Sequence, residues 1–151
     1  MLYALSERSK SNLVGVHPDM VRVVEHAIKI SAQDFTVFEG LRTRERQAQY
    51  VARGVSKTMN SKHLRQPDGF SHAVDLLPWI DGGPRWEWPA IYPIAHAMRT
   101  AARAEKVDIT WGGAWDCLIH DTNPSMEAEV AEYCRRHAGP DFIDGPHYQL
   151  S

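Results

Sequence analysis

The 151-residue sequence has few cysteines, little net charge and no long hydrophobic run. Two cysteines, Cys117 and Cys134, are too few for a disulfide framework, so we expect a reducing compartment. A net charge of −2 gives no basic field for nucleic acid, and no apolar run approaches the ~18 residues of a membrane span. The N-terminal segment MLYALSERSKSNLVG carries charges where a secretory signal is apolar. We therefore expect cytoplasmic synthesis without a signal peptide, no membrane insertion and no nucleic-acid partner.

Several common catalytic motifs are also missing from the sequence. It has no phosphate-binding loop, no dinucleotide glycine fingerprint, no GxSxG and no HExxH. The length and the 43% hydrophobic content are typical of one globular domain with its own core. We therefore predict a single domain over residues 1–151, present as a monomer.

Hydrophobic periodicity and turn residues predict helices that alternate irregularly with short strands. Helices are predicted from Pro18 onward, from the N-cap Thr43 to Gly54, over Pro89–Lys106 with Pro93 in the first turn or at the start, and from Asn123-Pro124 to near Gly139. Strands are predicted at 35–38, 73–77, 109–111 and 147–150, and residues 55–71 are predicted to be loop. The pattern favours an α+β fold with an antiparallel sheet and flanking helices.

Two segments combine aspartate and histidine in apolar surroundings. Asp75 lies inside the apolar strand 73–77 and follows a loop that contains His63. Asp144 precedes His147 by three residues across a Gly-Pro turn. A carboxylate in an apolar strand is costly unless it is paired or metal-bound. The structural alternative is a strand-end Asp bonded to loop amides and a buried, hydrogen-bonded His. The chemical alternative is a three-ligand zinc set with a fourth position open to water, with the leftover Asp144 as general base.

Four sequence blocks carry a resemblance to a known family. They are Glu39-Gly40-Leu41-Arg42-Thr43 with Gln47, Ser61-Lys62-His63 to Ala73-Val74-Asp75, Trp111-Gly112-Gly113-Ala114-Trp115, and Asp144-Gly145-Pro146-His147. In this order they resemble the M15 zinc peptidases, which include D-Ala-D-Ala carboxypeptidases and phage L-alanyl-D-glutamate endopeptidases. The resemblance covers nearly the whole chain and implies the hedgehog/D,D-peptidase-like fold.

The resemblance also implies roles for individual residues. It implies Zn²⁺ ligands at His63, Asp75 and His147, a catalytic base at Asp144, a catalytic and substrate-binding Arg42, and substrate contacts at Ser61 and Trp111. One departure concerns the first ligand, because the His-to-Asp gap is seven positions in the family and twelve here. The extra residues, around Arg65 to Phe70, must bulge from the loop. His72 is the competing ligand, and we prefer His63 because it keeps the Ser-x-His start of the block.

Two further features have alternative interpretations. Cys117-x-x-His120 and Cys134-x-x-His137 form two pairs that suit a second, structural zinc site. The five tryptophans are either packing residues or the wall of a groove for a peptide stem, and they are Trp79, Trp86, Trp88, Trp111 and Trp115. Trp86 and Trp88 are the pair that we expect to be exposed.

The resemblance predicts the function as follows. The chain is expected to be a zinc metallopeptidase that hydrolyses the peptide stem of bacterial peptidoglycan, as a phage endolysin with L-alanyl-D-glutamate endopeptidase activity that reaches the wall after release. A D-Ala-D-Ala carboxypeptidase is the nearest alternative. A non-catalytic zinc-binding domain of the same fold is an alternative of a different class.

Overall fold

The computed structural model describes residues 2–56, 58–137 and 142–151. Helices α1 to α5 cover Glu7–Asn12, Pro18–Ile30, Arg44–Ala52, Trp88–Glu105 and Met126–Arg136, and a 3-10 turn covers Ile119–Asp121. Strands β1 to β5 cover Phe35–Glu39, Ala73–Ile80, Gly83–Pro84, Ile109–Trp111 and His147–Leu150. The predicted α+β class is confirmed.

The strands form one antiparallel sheet in the order β1-β2-β5-β4, and β3 adds to the end of β2. Side chains alternate between the two faces of a strand. Val74 and Leu76 are therefore buried in the core, while Asp75 between them faces the other side. In β5, Tyr148 pairs with Val74 and His147 pairs with Asp75. The register thus brings an aspartate and a histidine together on the face opposite the core.

Helices α2 and α4 supply most of the helical side of the core. Both helices carry apolar residues at helical spacing, and these side chains are buried with those of β1, β2, β4 and β5 in one cluster. Helix α4 contacts α2, β2 and α5, so it lies at the centre of the packing. Within the described residues, no helix is both long and apolar enough to cross a bilayer.

The short helix α1, which the sequence pattern did not predict, covers the edge strand β1. The Ser9 hydroxyl accepts from Val37 N at 2.9 Å, and Asn12 Nδ2 donates to Val37 O at the same distance. These bonds satisfy backbone groups that an edge strand otherwise leaves open. The helix is six residues long and its buried residue is the polar Ser9, so it carries no apolar period to detect.

Most predicted elements are confirmed, with two corrections. Helix α3 begins after Thr43, whose hydroxyl accepts from Arg46 N, and Gly54 follows its end with φ of +74°. Pro93 lies inside α4, because the helix already begins at Trp88 and so extends a full turn before the proline. Helix α5 begins at Met126 after the N-cap Ser125, two residues later than the Asn123-Pro124 signal predicted. The predicted end of this helix near Gly139 lies outside the described residues.

The delayed start of α5 has a tertiary cause. The buried guanidinium of Arg99 in α4 donates to the backbone oxygens of Asn123 at 2.6 Å and Pro124 at 3.1 Å. These carbonyl groups are therefore held toward α4 and are not available to begin a helix. No local sequence signal contains this contact, since Arg99 lies more than twenty residues earlier.

Candidate metal centre and active site

Three side chains converge on the sheet face opposite the core. His63 Nε2 and His147 Nδ1 each lie 3.2 Å from Asp75 Oδ1, and the three ligand atoms all lie within 4.8 Å of one another. Tetrahedral Zn²⁺ with bonds of about 2.0–2.1 Å separates its ligands by roughly 3.3 Å, so two of the three spacings already suit such an ion. The donor set of two imidazoles and one carboxylate fits a divalent metal with one or more positions left open.

The loop before β2 brings His63 to this cluster in spite of its extra residues. The backbone oxygen of His63 accepts from Arg42 N at 2.9 Å, which ties the loop to the segment after β1. The extra residues form their own turn, closed by a bond of 2.8 Å from Gln66 N to Phe70 O. His72 is turned away, with its Nε2 at 2.6 Å from Asp68 Oδ2. The geometry therefore favours His63 over His72 as the ligand.

Burial and charge act together on the ionisable groups of the cluster. Burial opposes the ionisation of Asp75, but the two imidazoles outweigh it and hold the pKa of this carboxyl well below its usual value. Burial also opposes protonation of His147, yet contact with Asp75 raises the pKa of this imidazole. Asp75 thus stays ionised between the two imidazoles, and an ionised carboxylate is the form that binds a metal cation.

Asp144 lines the same cleft as the three converging residues. Burial raises the pKa of its carboxyl, and the negative charge of Asp75 raises it further. A carboxyl with a raised pKa accepts and returns a proton more readily near neutral pH than an ordinary aspartate does.

The backbone of the turn 144–147 is fixed by the Trp-Gly-Gly block. Asp144 N donates to Gly112 O, and Gly112 N donates to His147 O, each at 2.8 Å. A Cβ on Gly112 would lie 2.1 Å from Asp144 O, so only glycine permits this approach. Trp111 Nε1 donates to Gly145 O at 2.7 Å. The block therefore sets the position of both Asp144 and His147.

The structure corrects the prediction that Trp111 contacts substrate. Its side chain is fully buried in the core. Because its indole nitrogen already donates to the turn, Trp111 supports the site from behind and offers no surface to a ligand. Ser61, in contrast, lies on the cleft, and its hydroxyl accepts from His63 N at 3.1 Å.

Arg42 is buried at the edge of the cluster and held from two sides. Its Nε donates to Glu39 Oε1 at 2.8 Å, and its Nη1 donates to Gln47 Oε1 at 2.6 Å. Its Nη2 also bonds to Glu39 and lies 3.9 Å from Asp75 Oδ2. Tyr50 stacks beneath the guanidinium, 4.6 Å from its carbon. A fixed cation next to the cluster is suited to holding substrate oxygen atoms.

The cleft around these residues has a volume of about 500 Å³. Its apolar walls include Phe38, Tyr50 and Phe142, which the sequence did not predict, and Trp115, which is one of the tryptophans with a predicted groove-wall alternative. Trp115 Nε1 donates to Phe142 O at 2.6 Å, and its ring lies 5.3 Å from the His147 ring. Trp86 and Trp88 pack edge to face outside the cleft walls.

The alternative second zinc site is not assembled in the described part of the chain. In residues 2–56, 58–137 and 142–151, the one group of three or more metal-ligating side chains is His63, Asp75 and His147. His137 stacks on Tyr133, and His120 Nε2 lies 3.8 Å from Asp108.

A second cavity, of about 630 Å³, lies beside α2 and the N-terminal segment. The side chains of His26 and Arg22, which line this cavity, both bond to Glu105.

Known proteins resemble this chain in sequence and in fold. A family model described as phage L-alanyl-D-glutamate peptidase matches residues 1–151. The L-alanyl-D-glutamate peptidase of Escherichia phage T5 is 27% identical over 121 residues, which cover 77% of this chain and 84% of that protein. A Listeria phage protein of the same name is 30% identical over 64% of this chain and 31% of its own length. The crystal structure of the Serratia marcescens L-Ala D-Glu endopeptidase ChiX is similar with a TM-score of 0.71 and 36% identity, covering 96% of this chain and 87% of that one.

Proposed function

Because the chain belongs to the phage L-alanyl-D-glutamate peptidase family, we propose that it is a zinc peptidase that hydrolyses the L-Ala–D-Glu bond of the peptidoglycan stem. The observation that carries the proposal is the convergence of His63, Asp75 and His147 on one side of a cleft that also contains Asp144. The same observation supports Zn²⁺ as the cofactor, since imidazole and carboxylate ligands with an open position are typical of catalytic zinc.

In this proposal the metal ion and Asp144 have different roles in hydrolysis. A bound Zn²⁺ supplies Lewis-acid chemistry, which polarises a carbonyl and makes a water molecule more acidic. A carboxylate oxygen of Asp144 takes a proton from the attacking water while the water oxygen bonds to the carbonyl carbon of L-Ala. Asp144 then gives that proton to the D-Glu nitrogen as the C–N bond breaks.

Arg42 binds substrate oxygen atoms in this mechanism. Its guanidinium, buried and held by Glu39 and Gln47, either stabilises the negative charge on the carbonyl oxygen or binds a substrate carboxylate. D-Glu suits the second role, because this residue carries two carboxyl groups and a linear chain uses one of them. Ser61 lies on the cleft wall and is proposed to contact the stem.

The family and the two curated relatives carry the L-alanyl-D-glutamate peptidase name, which supports endopeptidase cleavage over the carboxypeptidase alternative. Retention of Asp144 in the cleft supports a catalytic domain over a non-catalytic zinc domain. We further propose that the protein acts as a monomeric phage endolysin that meets the wall after release.

The test is digestion of purified bacterial sacculi with the zinc-loaded protein, followed by mass spectrometry of the new termini. We expect new C-terminal L-Ala and new N-terminal D-Glu. A chelator should stop the reaction and added Zn²⁺ should restore it. The matched control is Asp144→Asn, which keeps the side-chain shape and should keep bound zinc while turnover falls by about 10²–10⁴-fold.

Two results would contradict the proposal. Release of free D-Ala without new L-Ala termini would assign the carboxypeptidase reaction instead. Full turnover by a verified zinc-free preparation, or by Asp144→Asn, would remove the proposed cofactor or base from the mechanism.

A further inference from the structure

We propose that Gln149 is a positioning residue for the metal centre, which holds the His147 ring in the orientation and tautomer that direct Nδ1 at the metal. The inference rests on the proposed function, since it assumes that the cluster of His63, Asp75 and His147 binds zinc. It goes beyond that function by assigning a role to a residue outside the ligand set.

The assignment begins with the two nitrogens of His147. Its Nε2 lies 2.9 Å from Gln149 Oε1, and its Nδ1 lies 3.2 Å from Asp75 Oδ1. An amide oxygen only accepts hydrogen bonds, so Nε2 must carry the proton of this pair. In a neutral imidazole Nδ1 then keeps its lone pair. The lone pair points toward Asp75, where the metal is proposed to bind.

His63 is held in the same way by its opposite nitrogen. Its Nδ1 donates to Gly40 O at 2.9 Å, which leaves the lone pair of Nε2 directed at Asp75 Oδ1, 3.2 Å away. Two lone pairs and a carboxylate oxygen therefore converge with acceptors fixed behind both rings. Such an arrangement is typical of metal-binding histidines, whose second nitrogen donates to a carbonyl or carboxylate.

The two acceptors differ in how the chain supplies them. Gly40 supplies a backbone oxygen. This residue packs so closely against α1 that an added Cβ would lie 2.2 Å from Asn12 O. Gln149 offers a side-chain oxygen, so its identity can be changed without moving the backbone. Gln149 and His147 lie two positions apart in β5 and share a strand face, and Gln149 is paired through its backbone with Ala73 and Thr110. The ladder thus fixes the Gln149 backbone at the distance that its side chain needs.

The experiment measures Zn²⁺ affinity by competition with a chromophoric chelator, on the full chain. Gln149→Leu keeps the approximate side-chain volume and removes the acceptor. We expect zinc binding to weaken by about 10–100-fold, the usual effect of losing such a partner. Gln149→Glu supplies another acceptor in the same place and should bind zinc at least as tightly as the wild type. The melting temperature of the zinc-free protein should be nearly unchanged in both variants, because Gln149 is only half-buried.

The matched control is Thr110→Val. Thr110 pairs with Gln149 in the neighbouring strand and bonds through its hydroxyl to Ser151, so the variant also removes a side-chain hydrogen bond from this sheet edge. It should bind zinc like the wild type. Zinc affinity of Gln149→Leu within twofold of the wild type, or equal weakening in Gln149→Glu, would overturn the assignment. A wild-type protein that binds no zinc would instead overturn the proposed function itself, and this is measured first.

Discussion

At the scale of single residues, two histidines near β2 have opposite surroundings. His63 is almost fully buried and faces Asp75, whereas His72 is partly exposed and bonds to Asp68. His17 packs edge to face on His72. These contacts make His72 part of a surface cluster that stands apart from the proposed metal ligands.

The different surroundings of His63 and His72 predict different results when each histidine is changed to alanine. His63→Ala should lose nearly all bound zinc and all measurable sacculus hydrolysis, because it removes one of three ligands. His72→Ala should retain about one zinc per chain and near wild-type activity, with stability changed by only about 0.5 kcal/mol, as for other surface changes. Zinc content by atomic emission, measured with sacculus hydrolysis on the same samples, checks both. The reverse pattern would move the ligand to His72.

How far the sequence predicts the site differs from residue to residue. The convergence of His63, Asp75 and His147 beside Asp144 was predictable from the order of four motif blocks, although the longer loop left His63 and His72 in competition as the proposed ligand. The predicted substrate contact of Trp111 was wrong, because a sequence motif does not indicate whether a side chain faces the cleft or the core. Gln149 escaped notice because its role depends on a hydrogen bond to His147, which only the strand geometry reveals.

At the scale of secondary-structure elements, the turn 144–147 and the end of β4 act as one unit. Gly112 exchanges backbone hydrogen bonds with Asp144 and His147, while Trp111 holds Gly145. The unit therefore connects a proposed base and a proposed ligand through main-chain contacts. A small shift of this turn moves both groups relative to Asp75.

We therefore expect Gly112→Ala to damage catalysis strongly. The new Cβ would meet Asp144 O at 2.1 Å, so the turn must move away from β4. A displacement of about 1 Å in a catalytic group commonly lowers turnover by about 10²-fold. Gly83→Ala is the matched control, because nothing lies within 4 Å of its added Cβ and it should leave sacculus hydrolysis unchanged. Wild-type turnover in Gly112→Ala would show that the turn tolerates movement and would contradict this role.

Elements with strong local signals were predictable, and those that depend on distant contacts were not. Helix α2 and strand β5 follow from their apolar period and their flanking Pro or Gly residues. The start of α5 was misjudged because Arg99 binds the backbone just before it. Helix α1 was missed because its hydrogen bonds to β1 join residues 25 or more positions apart.

At the scale of the whole molecule, the proposed metal centre joins parts of the chain that are far apart in sequence. His63 precedes Asp75 by 12 positions, and His147 follows Asp75 by 72. The hydrophobic core lies on the other face of the sheet and is built from α2, α4 and the inward side chains of the strands. The fold therefore has a stabilising core that is independent of the metal, and zinc should add to stability without being required for folding.

This separation predicts a moderate thermal effect of zinc removal. A ligand that binds only the native state at 100 times its Kd stabilises it by about 2.7 kcal/mol. For a chain of this length each kcal/mol shifts Tm by about 2–4 °C, so chelation should lower Tm by roughly 5–10 °C while the transition stays cooperative. The measurement is calorimetry of the zinc-loaded and chelated protein.

His63→Ala is the control for this prediction, because a variant that lacks one of the three proposed ligands should have the same Tm with and without chelator. Loss of the cooperative transition on chelation would mean that the metal is part of the folding core, contrary to the independent apolar cluster. An unchanged Tm in the wild type would mean that zinc binds the native chain no better than the unfolded one. Since the ligands converge only where β2 and β5 pair, the native state alone offers all three donors at once, and the predicted shift follows from that geometry.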